Sequence, residues 1–279
     1  MLVTRFAPSP TGRLHLGHAL SALVGWAAAK AAGGRFLLRI EDIDLGRCRP
    51  EFEAAIYEDL AWLGLGWEEP VRRQSEHFAD YAGALERLAA MELVYPCFCT
   101  RAEIEVEIAA AGGAPHGPDG PHYPGTCRAL GAAERADRIA AGMPHAQRLD
   151  AARAAARTGR LSFIEEGKGE IAVDPLAHGD AVLARKDIPT SYHLAVTLDD
   201  AIQGVTLVTR GEDLFPSTQL HRLLQALLGL PTPRYRHHRL LTDEAGRRLA
   251  KRDNARSLAA LRASGADPAA IRRQLLTSA

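Results

Sequence analysis

Apolar positions recur along this chain at two spacings, and the changes between them mark out its first elements. Leu2 to Phe6 is a short β-branched and aromatic run that predicts a strand, after which Leu16, Leu20, Leu23, Val24 and Ala27 recur at helical spacing. Gly33-Gly34 is a helix stop, and Phe36 to Ile40 then reads as a largely buried strand. Strand, helix, strand at this separation is a βαβ unit. It implies a parallel sheet and sets the loop before the helix at the sheet's carboxyl edge, where open α/β sheets bind ligands. Pro50 opens a second helix with Phe52, Ile56, Leu60 and Leu63 as its buried stripe. A third helix, from about Ser75 to Met91, carries Phe78, Tyr81, Leu85 and Leu88. Trp62 and Trp67 are expected to pack rather than to bind. Further on, 181–185, 191–196 and 205–209 are apolar segments that end near polar clusters, and Pro216 opens a helix through Leu220, Leu223, Leu224 and Leu228. Two short helices follow, Ser257 to Ala263 and one starting at Asp267-Pro268.

Between these halves the periodicity gives way. From Tyr95 the chain reads YPCFCTRAE, and then Gly and Pro accumulate in GGAPHGPDGPHYPGTCR. An insertion over roughly 96–170 is the expectation. Thr100 followed by Glu103 predicts a capping box for its first helix. Cys97 and Cys99, with Cys127 and either Tyr123 or His122 downstream, offer the four donors that tetrahedral zinc requires, and such sites hold together loops with little core. Spacing alone leaves three buried thiols as the alternative. Cys48 is left over and is expected to be structural.

Composition changes this picture little. With 47% hydrophobic and 24% charged residues over 279 positions the chain is an ordinary globular protein, long enough for one large or two modest domains. Lys+Arg 34 balances Asp+Glu 34, so any basic surface for nucleic acid must be local. One such stretch is TPRYRHHRLLTDEAGRRLAKRDNAR. No signal-peptide pattern or membrane-length apolar run is present, and the expected location is the cytoplasm. In that compartment four cysteines point to metal rather than to disulfides.

Chemistry concentrates at the predicted strand ends. In APSPTGRLHLGH, His15 and His18 lie three apart on the first helical turn, beside backbone N–H groups that suit a phosphate. Glu41, in the EDID that ends the second strand, can receive an ammonium group. Arg210, in RGEDL, can clamp a carboxylate, Tyr192 can add a hydroxyl to the same group, and Lys251 in the basic stretch can meet a triphosphate.

Taken together and in order, RFAPSPTGRLHLGH, LLRIEDID, SYHLAVTLDD, RGEDL and RRLAKRD resemble the catalytic core of the glutamyl-tRNA synthetases, class I enzymes with HIGH and KMSKS signatures, over about residues 1 to 255. The resemblance implies an α/β fold: a Rossmann-type doubly wound parallel sheet with a zinc-binding insertion and a short helical C-terminal region. Its expected divisions are 1–95 and 171–235 for the two halves of the catalytic domain, 96–170 for an insertion like an acceptor-stem domain, and 236–279 for a KMSKS-like loop and short helices. It further implies that His15 and His18 hold ATP, that Arg5, Ser9, Glu41, Tyr192 and Arg210 bind L-glutamate, and that RLAKR at 248–252 stands for KMSKS. That last motif departs at several letters but keeps Lys251. Cys97, Cys99, Tyr123 and Cys127 match the family's ligands for one structural Zn²⁺, which prefers Tyr123 over His122, and ATP with Mg²⁺ is the expected co-substrate. After Asn254 the sequence has too few residues for a helical anticodon-binding region. The expectation is therefore a truncated, monomeric paralogue that activates glutamate without tRNA and places it on queuosine at the wobble position of tRNA(Asp). A short enzyme charging the 3′ end of tRNA(Glu), or a non-catalytic tRNA-binding module, are the alternatives.

Overall fold

The computed structural model describes residues 1–111, 113–241 and 257–277. Strand β1 (Val3–Phe6), helix α1 (Leu16–Ala31) and strand β2 (Arg35–Ile40) form the expected βαβ unit, with β1 and β2 parallel in the register Val3↔Arg35 to Phe6↔Leu38. α1 ends where Gly33 takes a φ of +58°, a conformation that costs glycine little. Helix α2 (Pro50–Trp62) then crosses to β3 (Glu68–Arg73), which lies parallel to β2 on the side away from β1. β3 lacks an apolar face. Its charges are met by neighbours instead: Arg35 pairs with Glu68, Arg72 with Asp199 and Arg73 with Glu53.

Helix α3 (Phe78–Ala90) leads to β4 (Val94–Cys97), and the insertion follows with α4 (Arg101–Ala110), the hairpin β5 (His116–Gly117) and β6 (Gly120–Pro121), and α5 (Ala132–Ala140). Thr100 and Glu103 close the capping box at the start of α4. Neither α4 nor α5 buries a residue; the core here is a small cluster of Tyr95, Cys97, Phe98, Tyr123, Cys127 and Ala146. Strand β7 (Ala146–Leu149) pairs antiparallel with β4, helix α6 (Ala151–Thr158) follows, and β8 (Ser162–Glu165) and β9 (Gly169–Ala172) form a hairpin. β10 (Val182–Ala184) pairs antiparallel with β7, so β10-β7-β4 is a separate three-stranded sheet.

Helix α7 (Tyr192–Ile202), strand β11 (Leu207–Gly211), helix α8 (Ser217–Leu228) and strand β12 (Arg234–His238) complete the second half, followed by α9 (Leu258–Ala263) and α10 (Pro268–Thr277). The apolar segment 191–196 is thus the start of a helix, with the Ser191 hydroxyl capping it by accepting from the Leu194 N–H. α7 is buried from Leu194 to Asp200, and a helix enclosed on all sides loses the amphipathic signature that distinguishes helix from strand. β11, β12 and β8 are parallel neighbours, with β9 antiparallel at the edge. β8 and much of β9 fall inside the 96–170 span expected for the insertion, yet β8 is laddered to β12.

The two parallel sheets meet at β1 and β11: the Thr206 N–H donates to the Val3 carbonyl at 2.9 Å, and the Val3 N–H to the Thr206 hydroxyl at 2.9 Å. Across the join the order runs β3-β2-β1, then β11-β12-β8-β9. Successive strands run outward in opposite directions from this point, which opens a crevice at the carboxyl ends of β1 and β11. α1 covers the join closely. A Cβ on Gly25 would lie 2.8 Å from the Thr209 hydroxyl oxygen, so only glycine lets the helix sit there. No helix among the described residues is long and apolar enough to cross a membrane.

Candidate functional site

A cavity of about 470 Å³ occupies that crevice, and its lining includes Arg5, Ser9, His15, His18, Glu41, Tyr192 and Arg210. The fold thus brings together residues from β1, α1, α7, β11 and the end of β2. Lys251 lies outside the described residues. The segments on either side of 242–256 reach the rim, where Leu240 and Leu241 line the cavity and Ser257 forms a bridge with His15.

His15 is the N-cap of α1. Its Nδ1 accepts from the Gly17 N–H at 3.1 Å, while His18 Nδ1 accepts from the His15 N–H at 3.2 Å. The two rings form a reciprocal capping box, 3.8 Å apart between centroids. Since each Nδ1 accepts, each Nε2 carries the proton. One motif therefore satisfies the helix start and fixes two N–H donors beside it.

Glu41 sits deeper. Its backbone N–H donates to the Pro8 carbonyl at 3.0 Å, and its carboxylate accepts from Arg39 Nη2 at 3.2 Å. Burial pushes this carboxyl above its usual range, against the pull of Arg39 and Arg5. Arg39 is fully buried and also donates from Nη1 to Asp200 at 2.8 Å and to Gln203 at 2.9 Å. Arg5 donates to Asp200 from Nε at 2.9 Å and from Nη2 at 3.3 Å, and from Nη1 to the Thr209 carbonyl at 3.1 Å. Burial would raise Asp200, but Arg5 and Arg39 outweigh it and hold its carboxyl below the ordinary value. Its neighbour Asp199 is equally enclosed and is held by Arg72, Gln74 and Tyr81.

Arg210 is held differently. It donates from Nε to His237 Nε2 at 3.1 Å, from Nη1 to His221 Nδ1 at 3.1 Å and to the Tyr192 hydroxyl at 3.5 Å, and from Nη2 to the Thr218 hydroxyl at 2.7 Å. All four partners are neutral. Burial, reinforced by the Arg210 charge, lowers His237 to about 3 and carries His221 well below its usual value, while burial keeps Tyr192 a phenol. Glu165 fixes His237 by accepting from its Nδ1 at 2.8 Å, which leaves Nε2 as the lone pair that Arg210 needs. Sequence reasoning missed Arg39, Asp200, His221 and Thr218. Its only sign of His237 was a pair of histidines interleaved in the basic stretch.

In the insertion, Cys97, Cys99 and Cys127 place their sulfurs within 4.8 Å of one another. The Tyr123 hydroxyl lies 3.3 Å from Cys99 Sγ, and Cys99 Sγ lies 3.4 Å from Cys127 Sγ. Burial pushes the Cys99 thiol up to about 11. Cys127, buried too, is nonetheless brought below its ordinary value by hydrogen bonds from Tyr123 and the Phe98 N–H. His122 is elsewhere, donating from Nε2 to the Ala177 carbonyl at 3.0 Å. Cys48 lies near the main cavity, its Sγ 3.9 Å from the Ser9 hydroxyl. Between the cysteine cluster and the main cavity runs a second cavity of about 930 Å³, whose lining balances Arg47, Arg101, Arg148 and Arg185 with Asp44, Glu105, Asp119 and Asp180 and shares Tyr192 with the first.

Residues 1–277 match the family model of class I tRNA synthetases (E and Q), catalytic domain. The chain is 54% identical over 278 residues to the glutamyl-Q tRNA(Asp) synthetase of Rhodobacter capsulatus, covering 98% of this chain and 99% of that protein. It is 46% identical over 266 residues to the protein of the same name from Nocardia farcinica, covering 95% and 80% respectively. Among solved structures, the glutamate tRNA ligase from Elizabethkingia meningosepticum in complex with its amino acid superposes with a TM-score of 0.81 at 29% identity, over 98% of this chain and 60% of that one.

Proposed function

The chain belongs to the class I tRNA synthetases for glutamate and glutamine, and from that membership we propose that it activates L-glutamate with ATP, without tRNA, and transfers the glutamyl group to queuosine at the wobble position of tRNA(Asp). Identity to proteins named for that tRNA supports the acceptor. The observation that carries the amino acid is Arg210, a guanidinium 5% exposed whose hydrogen-bond acceptors, His237, His221, Tyr192 and Thr218, are all neutral. Arg5, Arg39 and Arg72 each have a carboxylate partner; Arg210 has none among the described residues. Its charge is balanced when an anionic ligand arrives. Glu41, a carboxyl held up by burial, is the complementary receptor for an ammonium. With the α-carboxylate left to react with ATP, Glu41 for the ammonium and Arg210 for a second carboxylate suit an amino acid with an acidic side chain.

In the first step a glutamate carboxylate oxygen attacks the α-phosphorus of ATP, the new P–O bond forming as the bond to pyrophosphate breaks. No protein nucleophile takes part. The Nε2–H groups of His15 and His18, beside the positive end of the α1 dipole, meet phosphate oxygens, so the chain acts by position and charge. Glu41 receives the ammonium, and Arg210 with Tyr192 receives the side-chain carboxylate. Ser9 and the donors of Arg5 not used by Asp200 and Thr209 complete the cradle. Mg²⁺ accompanies ATP in this class, and Lys251 is assigned to the phosphates. In the second step a queuosine hydroxyl attacks the acyl carbon of glutamyl-adenylate, AMP leaves with the C–O bonding pair, and the hydroxyl proton passes to the departing phosphate.

Cys97, Cys99, Cys127 and Tyr123 fit one structural zinc ion. Zn–S bonds of about 2.3 Å in a tetrahedron separate sulfurs by roughly 3.8 Å, near the 3.4 Å between Cys99 and Cys127. α4 and α5 bury nothing of their own, so such an ion would supply the cohesion that the core does not. These free thiols and the tRNA acceptor suit the cytoplasm.

The test is ATP–pyrophosphate exchange with glutamate and no tRNA, followed by transfer of labelled glutamate to tRNA(Asp) with and without queuosine. Exchange without tRNA, and label only on the queuosine-containing tRNA, are expected. Label at the 3′ end of tRNA(Glu), or no exchange at all, overturns the reading.

A further inference from the structure

The hairpin β5–β6 turns at Pro118-Asp119, and its tip reaches out of the insertion to the second half of the catalytic sheet. There Asp119 Oδ2 lies 2.8 Å from His178 Nδ1 and 3.5 Å from His193 Nε2. His193 Nδ1 lies 3.1 Å from His221 Nε2, and His221 Nδ1 lies 3.1 Å from Arg210 Nη1. Four side chains from the hairpin, α7, α8 and β11 thus form one continuous chain of contacts.

The direction of that chain is fixed at one end, because arginine can only donate. His221 Nδ1 must therefore accept, which puts the ring proton on Nε2. His221 Nε2–H then donates to His193 Nδ1, and His193 is left with its proton on Nε2, the atom 3.5 Å from Asp119 Oδ2. A carboxylate, which only accepts, is the terminus that this polarity requires. His178 belongs to the same knot. It donates from Nε2 to the Pro216 carbonyl at 3.0 Å, where α8 begins, so its Nδ1 contact with Asp119 makes it doubly protonated. Burial opposes that charge, but Asp119 and the Pro216 carbonyl raise His178 above its usual value. Asp119, His178 and His193 also have donor atoms within 4.8 Å of one another, as a metal site would. A cation there would need the lone pair of His193 Nε2, the atom that carries the proton in this chain.

We propose that Asp119 is a positioning residue for Arg210, acting through His193 and His221, so that the tip of the insertion sets the orientation of the guanidinium that meets the glutamate side chain. This rests on the assignment of Arg210 to that carboxylate. The relay orients Arg210 without neutralising it, since both intervening rings are uncharged. Replacing Asp119 by an amide exchanges a group that can only accept for one that can also donate, after which His193 can reverse and His221 loses the partner that keeps its Nδ1 lone pair toward Arg210.

Asp119→Asn, His193→Gln and the double variant, compared in glutamate-dependent ATP–pyrophosphate exchange, test the relay. The Asp119 side chain is 62% exposed, so its replacement leaves the fold intact. Each single variant should raise KM for glutamate about tenfold, leave KM for ATP unchanged, and add little to the other in the double variant. An unchanged glutamate KM in Asp119→Asn, an equal rise for ATP, or fully additive effects would overturn it. Nitrogen-15 NMR of histidine-labelled protein gives a readout that needs no activity: His193 and His221 should both be Nε2–H tautomers, and an Nδ1–H form of either defeats the proposal. Failure of the wild-type exchange would count against the glutamate reading alone, with the tautomers still deciding the relay.

Discussion

Replacing Asp200 by asparagine removes one negative charge from beneath the cavity while keeping the side chain's shape. Asp200 is 6% exposed and lies between Arg5 at 4% and Arg39 at 0%. Three N–H groups converge on it at 2.8, 2.9 and 3.3 Å. Breaking a buried pair from one side costs about 3–5 kcal/mol, because the partner charge stays behind. The lower end applies here, since the asparagine carbonyl still accepts and Glu41 remains 3.2 Å from Arg39. About 3 kcal/mol corresponds to a fall in Tm of roughly 6–12 °C for a domain of this size. The Asp200 carboxyl is held below its ordinary value, so its stabilisation is complete above the unfolded pKa near about 4 and is lost as pH falls through the folded one. Calorimetry from pH 7 downward should thus show a constant gap between wild type and variant that closes in acid. A Tm within about 2 °C of wild type at pH 7, or a gap that persists at the acid end, would refute the pairing as the source of stability.

Arg210→Ala should lower kcat/KM for glutamate in the exchange assay by about 10⁴, and Arg210→Lys should not restore it because an ammonium lacks the planar fork; activity within tenfold of wild type in either would sink the carboxylate assignment. Glu41 must be ionised to receive an ammonium and its carboxyl is raised by burial, so KM for glutamate should climb about tenfold per pH unit once pH falls below that raised value, still above the ordinary carboxyl range. Glu41→Gln should flatten that profile, with KM raised at neutral pH and meeting the wild-type value in acid. Metal analysis should find about one zinc per chain, and Cys127→Ser should speed amide hydrogen exchange in α4 and α5 while α1 keeps its protection; unchanged protection would remove the metal as the source of the insertion's cohesion.

How much of this was legible from sequence follows from how local each feature is. His15, His18 and Glu41 sit in short motifs at the ends of predictable strands, and one cavity gathers them. The proximity of the cysteines was suggested by the sequence, where C-x-C and one later Cys frame a Gly- and Pro-rich segment, although spacing alone did not separate a metal site from buried thiols. The supports were not. Arg39 and Asp200 are 161 positions apart, and Glu165 and His237 are 72 apart; no periodicity links such pairs. β3 was hidden because its EEPVRR is held by pairing and charge instead of an apolar face. β8 and β9 were hidden inside the insertion because a parallel ladder to β12 is a property of topology that the local pattern does not carry.

The contrast between the two ends of the cavity explains why histidines surround Arg210. A carboxylate partner would hold a buried guanidinium more strongly, as Asp200 holds Arg39 at 2.8 Å. It would also spend the charge, and a ligand carboxylate would then have to displace it. Neutral imidazoles accept from two of the guanidinium nitrogens and orient the fork, yet leave the positive charge for the substrate. That arrangement has a requirement of its own. The rings must stay unprotonated, which burial beside Arg210 enforces by lowering both His221 and His237. It must also present a lone pair rather than an N–H, which Glu165 arranges for His237. Selectivity for an acidic amino acid then arises from an imbalance kept on purpose: every other buried arginine of the network is paired, and the one at the cavity wall is held in place by groups that cannot neutralise it.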